Sequence, residues 1–182
     1  MAQLTGSMAA FPSAGTSDVY TTPYPVSLGT RAFDTSGNEY VFLDYTGTMY
    51  GGMLVFISKD GAWTANPYTT GLTGGPVGVI AGPGTSDNAG WVQIGGFAIV
   101  QCAGGSSLGT SSGRALVATS QSSPATALLT VSTGTSLSSD VIQGMWLTQL
   151  TSTGTTSATS ATGLRTRVWM SRPFILPPDA SS

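Results

Sequence analysis

Apolar residues in this chain come in runs of about 5–8, rich in Val, Ile, Tyr, Phe, Trp and Thr and cut off by Gly, Pro, Asn or Asp, the pattern of short strands and turns. No window carries the period of an amphipathic helix. "LGTRAF" and "EYVFLDY" flank "DTSGN", in which Gly37 and Asn38 tolerate the positive φ of a tight reversal, so residues 28–45 are expected to form a hairpin. "MLVFISK" and "AWTANPY" flank Asp60-Gly61 and predict a second one. Further strands are expected in "PVGVIA" (76–81), "WVQIGGFAIVQC" (91–102), "RALVAT" (114–119), "ALLTVS" (127–132), "VIQGMWLTQL" (141–150) and "RTRVWMSR" (165–172). Gly95-Gly96 inside the fourth of these hairpin and strand units predicts a bulge or bend that lets a sheet curl. The expected fold is all-β: a single compact β-barrel or sandwich-like domain of short antiparallel strands.

A chain of 182 residues is one domain by size and is long enough to bury a sizeable core. Charged residues are 8% of it, against roughly a quarter in ordinary soluble proteins. With 40% hydrophobic residues, this is not the composition of a disordered chain. Residues 1–25, ending in "TTPYPV", scatter isolated apolar groups among Ser, Gly, Thr and Pro and read as an extended N-terminal arm. Residues 26–178 are then the β-domain, with a Ser/Thr-rich loop at 151–163 joining its last two strands. The N-terminus carries neither a basic residue nor a long apolar core, and the longest apolar runs, "MLVFI" and "FAIV", are too short to span a bilayer. Synthesis in a cytoplasm, with no membrane partner, is the expectation.

Residue inventory argues against catalysis. "GTSSG" (109–113) matches the pattern of a hydrolase nucleophile elbow, but that motif needs a strand-to-helix turn and a histidine base, and the chain has no histidine. Ser58 and Lys59 are adjacent, so on a strand they face opposite ways and form no dyad. Asp18, Asp34, Glu39, Asp44, Asp60, Asp87, Asp140 and Asp179 fall mostly in turns. Cys102 stands alone and reads as a small buried hydrophobe, and neither metal-ligand spacing nor a phosphate loop is present. Net charge is −2 and the basic residues are scattered, so nucleic acid is not an expected partner. No catalytic residue, cofactor or metal is expected.

Surface contacts remain. Leu4, Met8, Phe11, Tyr20 and Tyr24 lie on the arm with no evident local core, and are expected to dock on a neighbouring subunit or partner. In "RTRVWMSR", strand alternation puts Thr166, Val168 and Met170 on one face and Arg165, Arg167 and Trp169 on the other. Trp beside Arg on an outward face is interface chemistry; the alternative is a Trp in one layer of a two-sided core.

"VSLGTRAFDTSGNEYVFLDYTGTMYGGMLVFI", followed by "GPVGVIAG", "GWVQIGGFAIVQC" and "VWMSRPFI", resembles the capsid decoration, or cement, proteins of tailed bacteriophages. That resemblance implies a β-rich domain, often a homotrimer, on the outer surface of the virion, where it clamps neighbouring major capsid subunits and carries no catalytic residue. The alternatives are a tail-tip or receptor-binding β-module that reads host carbohydrate by stacking on Trp63, Trp91 or Tyr68, and an enzyme of the cell-wall-hydrolase kind.

Overall fold

The computed structural model describes residues 17–58, 62–67, 74–101, 116–122, 125–131, 141–149 and 165–175. Among them there is no helix, and the all-β expectation is met by β1 (Val19–Tyr20), β2 (Arg31–Phe33), β3 (Glu39–Tyr45), β4 (Leu54–Ser58), β5 (Thr64–Pro67), β6 (Gly75–Ile80), β7 (Ala89–Gln101), β8 (Leu116–Ser122), β9 (Ala125–Val131), β10 (Val141–Gln149) and β11 (Arg165–Ile175). Asp60, Gly61, Cys102 and the 151–163 loop lie outside the described residues, as do Leu4, Met8 and Phe11.

Strands β3, β5, β4, β6 and β7 close on themselves: β7 pairs with β3 at one edge and with β6 at the other. Four of the five contacts in this ring are antiparallel. An odd ring cannot alternate direction all the way round, so one pair must be parallel, and it is β3 with β5, through Asp44↔Thr64 and Tyr45↔Ala65. This corrects the purely antiparallel expectation. The long strand expected over 91–102 forms as the 13-residue β7, whereas β11, expected over 165–172, runs on to Ile175. Beyond the ring, the second half of β7 pairs with β11, which passes the sheet on to β10, β8 and β9.

Both expected hairpins form: β2–β3 through Arg31↔Val41 and Phe33↔Glu39, and β4–β5 through Val55↔Pro67 and Ser58↔Thr64. The β-bulge expected at Gly95-Gly96 is present as a register shift between Glu39 and Tyr40, which face Gly95 and Gln93. Gly96 has φ +84°, and a Cβ there would collide with Asn38, whose Oδ1 accepts the Phe97 N–H at 2.9 Å.

Strand β3 reads as an unbroken apolar run because both its faces are covered. Val41, Leu43 and Tyr45 enter the main core with Leu54, Ile57, Val79 and Val92, whereas Tyr40 and Phe42 enter a second cluster with Ala32, Ala89 and Trp91. From the segment expected to be an extended arm, Tyr20 and Tyr24 supply cover for that second cluster. Val19 and Tyr20 pair with Gly90 and Ala89 of β7, and the Tyr20 and Tyr24 rings both lie 5.9 Å from Phe42. Tyr24 donates its hydroxyl to Asp44 Oδ1 at 3.0 Å. Burial, followed by that bond and the Asp44 charge, pushes the Tyr24 phenol up from its ordinary value. The expectation that these tyrosines lack a local core is therefore corrected: the outward side chains of β3 and β7 form one.

The β2–β3 turn is held by one carboxylate. Asp34 Oδ1 accepts the backbone N–H of Ser36 at 2.8 Å and of Asn38 at 2.9 Å, and Oδ2 accepts from Asn38 Nδ2 at 2.7 Å and the Tyr40 hydroxyl at 3.1 Å. Burial works to raise the Asp34 carboxyl, but these donors outweigh it and hold it below the usual carboxylate value. A group depressed in the folded state stabilises above its unfolded pKa and loses that contribution as pH falls through the folded value. Stability is therefore expected to drop below about pH 4, with a smaller drop in Asp34→Ala, which should itself cost about 1–3 kcal/mol at neutral pH; urea titrations at several pH values check both.

Candidate functional site

Strand β7 changes character along its length. From Ala89 to Ile94 every residue is buried, because the ring lies on one side and the Phe42–Trp91 cluster on the other. From Phe97 onward, burial alternates: Ala98 and Val100 point into the core while Phe97 and Ile99 point out. A strand with one solvated face ordinarily carries polar residues there. "FAIV" instead puts large apolar groups on both faces.

The neighbouring strands repeat this. In β11, Thr166, Val168 and Met170 are buried and Arg167 and Trp169 face outward, which is the alternation expected from the sequence. In β10, Ile142 and Met145 are buried while Trp146 is exposed. Register brings the outward residues into rows, with Phe97 opposite Trp169 and Trp169 opposite Trp146, and with Ile99 opposite Arg167. Ile99 is 59% exposed, Trp146 54%, Phe97 44% and Trp169 42%. Singly exposed hydrophobes are ordinary on a protein surface, but a cross-strand row of them is a candidate contact site.

Local contacts hold this row in a fixed shape. The Phe97 and Trp169 rings meet edge to face at 4.7 Å, and the Arg167 guanidinium sits 4.5 Å above the Phe97 ring. The Thr148 hydroxyl donates to the Arg167 carbonyl at 3.1 Å. Stacked rings and a guanidinium restrained by cation–π attraction lose little freedom when covered, which favours association. Arg167 and Trp169 are thus brought together with Phe97, Ile99 and Trp146, which the sequence reading did not single out. The signal for Phe97 and Ile99 was the continuous apolar run itself. For Trp146 there was none: strict alternation would put it on the face of the buried Ile142, and the register shift between Gln143 and Met145 turns it outward.

Other expected sites are distributed differently. Tyr20 and Tyr24 belong to the second cluster, away from this row, and Arg165 is described as a strand residue opposite Gln101. Of the aromatics expected to stack on sugar, Trp91 is 1% exposed, 5.1 Å from Phe42, and closed to any ligand. Trp63 packs against the main core, and Tyr68 lies outside the described residues. Among the described residues no three His, Cys, Asp or Glu side chains gather as a metal-binding group.

Compared with protein-family models, with curated proteins and with solved structures, the chain has no significant match.

Proposed function

We propose that this chain is a non-enzymatic structural protein that docks through the outer face of β7, β11 and β10 on a neighbouring protein subunit. Its proposed setting is the outside of a tailed-phage capsid, where it decorates the shell and clamps adjacent major capsid subunits, as a homotrimer. The observation that carries the docking role is the outward row of Phe97, Trp169 and Trp146 with Arg167 and Ile99 beside it, since Trp, aromatic and Arg side chains dominate contact energies between proteins. The capsid setting is supported by the resemblance of the "EYVFLDY" hairpin, "GWVQIGGFAIVQC" and "VWMSRPFI" to decoration proteins.

Physically, the role asks for no reacting group. A protein that binds only the mature lattice stabilises that lattice by mass action, and many copies linked through a shell turn modest contacts into a strong collective hold. The test is co-sedimentation of the purified protein with expanded phage heads that lack it. Saturable binding to heads, together with heads that withstand a higher temperature, is the expected result. Binding to tails or host cells in place of heads, or turnover of peptidoglycan, would contradict the reading.

A further inference from the structure

Among the described residues only two non-glycine residues have positive φ, Trp63 at 51° and Arg172 at 46°. Both are bulky residues for which the left-handed region is costly, and such strain gathers where a site must be held in shape. They come from distant parts of the chain, yet both line the same cleft.

The cleft has an apolar floor and a charged rim. Val41, Ile57, Val77 and Ile94, all members of the main core, form the floor, and Trp63 forms a wall, with its indole packed so closely on Gly29 that a Cβ there would collide with it. Its volume is about 70 Å³, roughly half that of a cavity that admits benzene (about 150 Å³), so it suits the end of one aliphatic side chain. Arg31 and Arg172 stand at the rim.

The arginines are fixed by the only glutamate of the chain. Glu39, buried at the start of β3, accepts from Arg31 Nη1 at 3.0 Å through Oε1. It also accepts from Arg172 Nη2 through Oε1 and from Arg172 Nε through Oε2, each at 3.3 Å. Arg172 reaches it because β11 bulges there: Gln143 and Met145 of β10 face Phe174 and Met170, so β11 has two more residues than its partner in this interval. Two guanidiniums on one carboxylate leave a net positive charge beside an apolar opening.

We propose that this cleft binds a segment of a partner protein that presents one aliphatic side chain followed by a carboxylate. The aliphatic end fills the space between Trp63 and Ile94, and the carboxylate takes guanidinium donors of Arg31 and Arg172, which Glu39 holds in place. Charge complementarity selects an acidic segment over a neutral one. The cleft shares no lining residue with the β7–β11–β10 row, so the proposal stands or falls separately from the capsid reading.

The probe is acetyl-Leu-Asp-amide, with acetyl-Leu-Asn-amide as its neutral counterpart, titrated into the full chain while the Trp63 indole N–H resonance, assigned with a Trp63→Phe variant, is followed by NMR. The acidic peptide is expected to move that resonance saturably and to bind about tenfold more tightly than the neutral one. Arg172→Gly removes the guanidinium but adopts φ +46° without strain, so it should fold and should weaken the acidic peptide about tenfold. Its unfolding curve checks that it folds. Lys at position 31, as Arg31→Lys, keeps the charge but loses the fork and should weaken binding less. Equal affinity for the two peptides, no loss in Arg172→Gly, or no movement of the Trp63 resonance up to the peptide's solubility limit would overturn the proposal.

Discussion

Replacing Trp146 and Trp169 together by Thr is expected to leave a folded protein that no longer attaches to the subunit surface proposed as its partner. Both side chains stand on the outer face, and Thr keeps the preference for extended backbone, so the strands retain their pairing. The loss in folding stability should be about 1–2 kcal/mol, mainly the edge-to-face contact of Trp169 with Phe97. Central aromatic anchors in a desolvated interface contribute at least about 2 kcal/mol each, so losing the pair should lower affinity for heads by about a thousandfold. Co-sedimentation measures the second effect and urea unfolding the first. Arg167→Ala, which removes the cation–π partner of Phe97, should fall between the parent and the double variant.

The largest expected loss of stability lies further along the same outward side of β7, where that side is covered. Trp91 is buried, stacked edge-on against Phe42, which in turn contacts Tyr20 and Tyr24. Trp91→Ala should cost about 3–5 kcal/mol, because a large side chain leaves a cavity that the surrounding sheet cannot collapse to fill. Trp91→Phe should cost less, since a ring remains to meet Phe42. Urea midpoints of the three proteins rank them, and a Trp91→Ala midpoint equal to the parent's would mean that the second cluster contributes nothing. These two experiments contrast tryptophans of similar sequence context: one closes a core, and the others are held outside it.

Much of the fold was legible because strands and turns are local properties. The β2–β3 hairpin could be read from "DTSGN", and the bend at Gly95-Gly96 from paired glycines inside an apolar run. The parallel β3–β5 pair could not, since it follows from the number of strands in a closed ring and not from any residue in them. The packing of Tyr20 and Tyr24 was illegible for a related reason. Whether an aromatic on an extended segment has a core to enter depends on which face of β3 lacks a cover, and Phe42 exposes that face only once β3 lies beside β7.

The candidate site was half legible. Alternation in "RTRVWMSR" placed Arg167 and Trp169 together, but their neighbours Phe97 and Trp146 come from strands more than a dozen residues away, joined only by register. Likewise, nothing adjacent to Glu39 in sequence announces Arg172. The ion pair is made by a bulge in β11, which a sequence period of two cannot reveal.

Cryo-electron microscopy of phage heads saturated with the protein tests the docking account most directly. The account predicts density outside the shell at the junctions between capsid subunits, with the β7–β11–β10 face and its Trp146 and Trp169 side chains closed against a neighbouring subunit. Density confined to the tail, or a decorated shell in which that face points to solvent, would contradict it.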